Sequence, residues 1–362
     1  MTKRYLILED GSCFEGQAIG SDQFRVGELV FNTSMTGYQE ILTDSSYSGQ
    51  IITMTYPMIG NYGINRDGLG SMAPSIFGFV ISEHCEEPSN FRSQMNVDEF
   101  LKLRNIPGIK DVDTRMITRY IREKGTMKAT LSDSIDDMPK QVEEIKNTAL
   151  PTNLVEKVSI TKPFNIPHEG YRVVVVDFGS VNDILKELNQ RKLDITVVPY
   201  NITTKSIDFL HIDAIVLSNG PGNPEDLPDV IETIKDLIGK YPILGIGLGH
   251  QLLAIASGAK IKKLKVGHRG NNYPVVNTAT GKVEIQATNN SYIVDINSLD
   301  EDKLKVTYLG LDEGTCEGFE DVKNYIYSIQ FHPEAFIDEN SKNKIYERFM
   351  SIIDDYKGEK NA

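Results

Sequence analysis

Short apolar runs bounded by turn residues mark the first part of the chain. Tyr5-Leu6-Ile7-Leu8, a Glu9-Asp10-Gly11 turn and residues 13–19 predict a hairpin. Residues 27–65 mix β-branched runs with Gly, Asn, Ser and Thr, which predicts short strands joined by long loops. The aromatic and amide side chains of that stretch (Tyr38, Gln39, Tyr47, Gln50, Asn61) fit either a connector or a binding surface. In residues 77–82, Phe77, Phe79 and Ile81 alternate on one face, the period of a strand. Residues 97–103 predict a short amphipathic helix and 109–112 a strand. Met116, Ile117, Tyr120 and Ile121 then form a core-facing helical stripe, with Asp113 as N-cap and Gly125 just past the end. A further helix is expected over 140–150.

Residues 151–170 carry three prolines and no clear period, so a linker is expected there, between domains at 1–150 and 171–362. Beyond it strands and helices alternate. Strands are expected at 171–176, 194–198, 214–217 and 243–246, with helices at 182–191, 207–210 and 230–240. That order predicts an α/β domain whose parallel sheet is covered by helices on both faces. Ligand sites in such sheets lie beyond the carboxyl ends of the strands, where Gly220, Gly222, Gly247 and Gly249 fall. The C-terminal part reads as richer in strands, at 275–277, 282–287, 292–294, 304–308 and 326–330, with a closing helix near 341–356.

Composition narrows the function classes. With 362 residues, 40% hydrophobic and 25% charged, the chain suits two buried cores. A net charge of −13 without a long Lys/Arg run argues against nucleic acid and anionic membranes, and for small-molecule or protein partners. No signal peptide or membrane span is expected, and the cytoplasm is the expected location. Cys13, Cys85 and Cys316 are too few and too scattered for a disulfide framework or a metal site.

The chemistry centres on residues 243–251, Ile-Leu-Gly-Ile-Gly-Leu-Gly-His-Gln, read as a buried strand, a sharp turn and the start of a helix. Such a turn holds a nucleophile above a sheet and aims a helix N-terminus at developing negative charge. His332 and Glu334 are two residues apart, which puts both on one side of an extended segment. The carboxylate can then orient the imidazole, although the pair taken alone reads more readily as an ordinary surface loop. The glycine- and proline-rich turn at 218–224 offers backbone N–H groups to an oxyanion or carboxamide, or is a plain strand-to-helix turn. His250 is read as fixing local structure, and Cys316 as a structural thiol.

Together these stretches resemble the small subunit of carbamoyl-phosphate synthase along nearly the whole chain. The resemblance rests on residues 27–51, 55–65, 111–125, 217–226, 245–260, 267–275 and 328–335. It implies a β-rich α/β N-terminal domain of the small-subunit type. A class I glutamine amidotransferase domain with a doubly wound, mostly parallel sheet would follow it. It further implies glutamine hydrolysis by a cysteine with His332 and Glu334, and ammonia passed to a large-subunit partner. That partner would use ATP, metal and bicarbonate to make carbamoyl phosphate for arginine and pyrimidine synthesis. No cofactor is implied for this chain. Glutamine-binding positions fall on Ser46, Gly220, Gly222, Leu248, Gln251, Asn289, Ser291 and Tyr292.

Four departures from the family pattern stand out. The nucleophile position is Gly247. The loop that reads Gln-Asn-His-Gly-aromatic in the family is Thr288-Asn289-Asn290-Ser291-Tyr292 here. Tyr273 replaces a histidine, and Val181-Asn182 replaces a pair that is usually basic. A glycine supplies no thiolate, so the expectation is a small subunit that has lost its glutaminase activity. The alternatives are hydrolysis through Cys316 or an activated water, and a non-catalytic glutamine-sensing or regulatory partner of the synthase.

Overall fold

The computed structural model describes residues 2–66, 68–71, 73–180, 182–333 and 343–361. By its contacts the chain divides into two units. One is Met1–Thr152 with Lys265–Gly270, the other Asn153–Leu264 with Asn271–Ala362.

The first unit contains β1 (Lys3–Leu8), β2 (Cys13–Gly20), β3 (Gly27–Asn32), α1 (Tyr38–Thr43), β4 (Gln50–Met54), β5 (Met58–Ile59), β6 (Gly78–Val80) and β7 (Glu83–His84). It continues with α2 (Val97–Leu103), β8 (Pro107–Lys110), α3 (Thr114–Lys124), β9 (Met127–Ser132) and α4 (Met138–Asn147). Among the described residues, seven strands close into a barrel in the order β1-β2-β8-β6-β4-β3-β9. The expected hairpin is β1 with β2, and its alternation splits the side chains. Leu6 and Leu8 enter the core with Leu29, Ile51, Ile109 and Leu131, while Tyr5 and Ile7 meet Ile145 of α4.

Tyr38, Gln39 and Tyr47 of the 27–65 stretch are buried and build interior structure, whereas Gln50 is half-buried and Asn61 exposed. Tyr38 stacks on Tyr62 at 4.1 Å and donates its hydroxyl to the Gly63 carbonyl at 2.9 Å. Gln39 holds the Asn65 backbone through both its amide atoms, and Tyr47 accepts from Asn32 at 2.8 Å. Residues 265–270 belong to this unit. Thr126 N–H donates to Lys265 O at 2.9 Å and Thr33 N–H to Arg269 O at 3.2 Å, Val266 packs on the barrel core, and Arg269 is buried.

The second unit contains α5 (Leu154–Val158), β10 (Phe164–Ile166), β11 (Arg172–Asp177), α6 (Asn182–Gln190), β12 (Asp194–Pro199), α7 (Thr204–Phe209), β13 (Ala214–Leu217), α8 (Pro228–Leu237), β14 (Ile243–Ile246) and α9 (Leu248–Ala256). It ends with β15 (Ile261–Asn277, apart from residues 265–270, which belong to the first unit), β16 (Val283–Val294), β17 (Lys305–Gly310), β18 (Cys316–Asp321), β19 (Ile326–Ile329) and α10 (Lys344–Asn361). Its sheet runs β10-β12-β11-β13-β14-β19-β18-β16-β15-β17. The β12-β11-β13-β14-β19 centre is parallel, and β18 turns the sheet antiparallel. Side chains of β11 alternate between two cores. Val174 and Val176 join the face covered by α7, α8 and α9, and Val173 and Val175 the face covered by α6 and α10. Burial on both sides is why these strands read as continuous apolar runs.

The stretch expected to be a linker carries α5, whose Val155 is in the core, and β10, an edge strand antiparallel to β12. Its prolines flank these elements, where a missing N–H costs no ladder bond. Two of the C-terminal strands are longer than expected, and β18 has no counterpart among the expected strands. The pieces at 275–277, 282–287 and 292–294 belong to β15 and β16, joined by a turn in which Asn277 N–H donates to Lys282 O at 2.9 Å. No helix among the described residues is long and apolar enough to cross a membrane.

Candidate functional site

Strand β14 ends at Ile246 and α9 starts at Leu248, so the chain reverses at Gly247 alone. Its φ of 57° and ψ of −110° lie where a side chain brings strain. The flanking glycines let the helix lie directly on the sheet. A Cβ on Gly245 would fall 2.9 Å from Gly249 O, and one on Gly249 only 2.3 Å from Leu217 O. Gly249→Ala is therefore expected to cost about 1–3 kcal/mol of stability by forcing α9 off β13. Urea unfolding measures this, and an unshifted midpoint would contradict the packing argument.

The loop after β13 is fixed from below. Phe178 N–H donates to Ser218 Oγ at 2.9 Å, and both Ser218 Oγ, at 3.0 Å, and Ser180 N–H, at 3.1 Å, donate to Asn219 O. Gly220 passes so close to Phe178 O that a Cβ would sit at 2.3 Å, and Gly222 has φ +94°. The loop meets the start of α9: Gly249 N–H donates to Ser218 O at 3.1 Å, and Leu248 N–H to Asn219 Oδ1 at 3.0 Å.

His332 follows β19. Its backbone N–H donates to Ala287 O at 2.9 Å, and its Nε2 lies 3.3 Å from Asn219 Nδ2. Glu334 lies outside the described residues. Gln251 is buried in α9 and donates through Nε2 to Tyr292 O at 2.8 Å and Gln330 Oε1 at 2.9 Å, tying β16 to the segment that leads into His332. Asn290 Nδ2 also donates to Tyr292 O, at 3.0 Å, and Lys263 Nζ is 5.8 Å from the Tyr292 ring centroid. Asn289, Ser291 and Tyr292 are half-buried on β16.

Thus Gly220, Gly222, Gly247, Leu248, Gln251, Asn289, Ser291, Tyr292 and His332 all belong to the second unit. Ser46 belongs to the first, buried in a 3-10 turn where its N–H and Oγ donate to Asp44 at 2.9 and 2.5 Å. Tyr273 lies on β15 and Asn182 opens α6; Val181 lies outside the described residues. Asn219 is the residue that reading the sequence passed over. It stands in the Ser-Asn-Gly-Pro-Gly turn, but its role depends on side-chain contacts with Leu248 and His332, which no local pattern encodes.

Two other groups are removed from chemistry by burial. His250 is fully buried with Nδ1 2.9 Å from Ser328 Oγ, and burial pushes its pKa down to about 3, so it is neutral at pH 7. Burial pushes the Cys316 thiol up to about 12, and its sulfur lies 3.7 Å from Gly318 O. A thiol that stays protonated inside the core is no substitute nucleophile.

Comparison with known proteins finds the following similarities. Residues 6–131 match the family described as carbamoyl-phosphate synthase small chain, CPSase domain, and residues 174–352 match glutamine amidotransferase class-I. The chain is 48% identical over 352 residues to the carbamoyl phosphate synthase pyrimidine-specific small chain of Bacillus subtilis, covering 97% of this chain and 96% of that one. It is also 48% identical over 353 residues to the carbamoyl phosphate synthase small chain of Listeria innocua, covering 98% and 97%. Among solved structures it is similar to a putative GMP synthase subunit from Thermoplasma acidophilum. That match has a TM-score of 0.47 and 25% identity, and covers 54% of this chain and 100% of that one.

Proposed function

The chain belongs to the carbamoyl-phosphate synthase small-chain family and carries a class I glutamine amidotransferase domain, and from that premise we propose that it is a small subunit which no longer hydrolyses glutamine. The observation that carries the reading is Gly247. The reversal between β14 and α9 is intact, yet the residue there has no side chain. Amide hydrolysis at such a turn needs a nucleophile, a base that activates it, and N–H donors for the oxyanion. His332 supplies an imidazole, with no thiol at 247 for it to activate.

In this reading the protein docks to a large subunit, which carries the ATP- and bicarbonate-dependent steps, and the pair takes free ammonia. The test is synthesis by the reconstituted complex with either ammonium or glutamine as nitrogen donor. Ammonium is expected to support carbamoyl phosphate formation, with glutamine at least about 100-fold less effective, because loss of a covalent nucleophile removes several orders of magnitude in rate. Comparable synthesis from the two donors would sink the proposal.

A further inference from the structure

In the first unit β3, β4, β6 and β8 run parallel, so their carboxyl ends share one edge of the barrel. Binding sites of parallel sheets lie beyond that edge. A cavity of about 480 Å³ opens there, lined by Thr55 after β4, Ser82 after β6, and Arg115, Arg119 and Arg122 of α3. The backbone around it is tied down. Thr55 N–H donates to Asn32 O at 3.1 Å, and Asp111 N–H to Ser82 O at 2.8 Å.

The arginines recur at i, i+4 and i+7, one stripe of a helix that buries Ile117 and Ile121 on another. All three are exposed, and among the described residues none has an ion pair or a side-chain hydrogen bond. They form a local positive patch on a chain of net charge −13. The carboxylate in the wall, Asp113, is engaged as the N-cap of α3, accepting from Met116 N–H at 2.8 Å. Apolar side chains adjoin the patch. Met58, next to the lining Pro57, is 42% exposed. Met116, next to Arg115, is 50% exposed, although its spacing predicts a core-facing position.

We propose that this cavity is a docking surface for the large subunit, taking partner carboxylates on Arg115, Arg119 and Arg122 and partner apolar side chains on Met58 and Met116. The inference rests on the reading that the chain docks to a large subunit. Arginine and methionine are enriched in protein interfaces, and a guanidinium takes a carboxylate through two parallel hydrogen bonds. A small free anion fits the site less well. The arginines stand in water, Thr118 Oγ1 is engaged with Thr114 O at 2.7 Å, and Asp113 adds negative charge to the wall. On an acidic chain a positive patch also orients an acidic partner during encounter.

The test is the affinity of the full chain for its large subunit, read by calorimetry. Arg119→Gln is expected to raise Kd by about tenfold, and Arg115→Gln, Arg119→Gln and Arg122→Gln together by about 100-fold or more. Lys140→Gln, the same charge loss on α4, should leave Kd unchanged. Raising the salt concentration should weaken the unaltered complex more steeply than the triple variant, a dependence that a structural role for the arginines would not produce. Because the three arginines are exposed and bond nothing within the chain, Tm should not move in any variant.

Equal affinity of the triple variant and the unaltered chain would overturn the proposal while leaving docking itself intact. Failure of the unaltered chain to form a complex would overturn the docking reading, and this surface with it. Saturable binding of inorganic phosphate that is lost in Arg119→Gln, with affinity for the large subunit unchanged, would assign the cavity to a small anion and overturn the proposal.

Discussion

Glutamate release from glutamine by the purified protein is expected to run on the order of 10⁴- to 10⁶-fold slower than in a cysteine-bearing relative, the usual size of effect when a covalent nucleophile is lost. The more informative result is its companion. Residues that act as a unit in catalysis contribute non-additively, so once the nucleophile is missing the base has nothing to activate. His332→Ala should therefore cause no further drop. A coupled glutamate assay on both proteins checks this. A residual rate that falls again on His332→Ala would mean that the imidazole activates a water, and the mechanism would have to be redrawn around general-base hydrolysis. Cys316 is not a competing explanation, because its thiol is buried behind α9 and stays protonated.

The pH dependence of stability is expected to show two opposed slopes from two buried groups of the second unit. His250 titrates at about 3 in the folded protein instead of 6.5 because burial disfavours its charged form. Between those values the unfolded chain binds the proton and the native state does not. The stabilisation is therefore complete above about pH 6.5 and is lost at roughly 1.4 kcal/mol per pH unit as pH falls towards 3. Glu317 is pushed up to about 7 from 4.5, chiefly by burial, against the opposing hydrogen bond from Thr315 Oγ1 at 2.6 Å. Here the native state keeps the proton, so the contribution is full below pH 4.5 and is lost as pH rises to 7.

From pH 4.5 to 6.5 the two slopes cancel. His250→Gln should unmask stability that falls from pH 4.5 to 7, and Glu317→Gln stability that rises from pH 3 to 6.5. Urea unfolding across this range measures both. Parallel curves for the two variants would show that neither group is shifted as described.

Much of this organisation was legible in the sequence because periodicity and burial coincide. The strands at 214–217 and 243–246 and the helix at 97–103 lie where apolar spacing puts them. Continuous Val and Ile runs could be read as a parallel sheet because helices cover both of its faces. Elsewhere the local signal was weaker than the tertiary context. β15 runs through His268, Gly270, Asn271 and Asn272, residues with little strand preference, and is held by its partners in the sheet. The prolines at 151, 163 and 167 resemble linker punctuation, yet they border a short helix and an edge strand. At the candidate site the glycine at the turn was visible at once. The amide beside it was not, because Asn219 reaches Leu248 and His332 across 29 and 113 positions of chain.

The middle of β15 carries a consequence for how the protein is made. Residues 265–270 are part of the first unit, with Arg269 buried and backbone bonds to Thr33 and Thr126. On the ribosome that unit cannot be completed when residue 152 emerges. At ordinary rates of synthesis it waits on the order of ten seconds for a segment still to be translated. Through that interval the acceptors for Thr33 and Thr126 and the packing of Val266 are missing. The nascent barrel is then a client for chaperones, and a fragment ending near residue 152 should be hard to produce in soluble form.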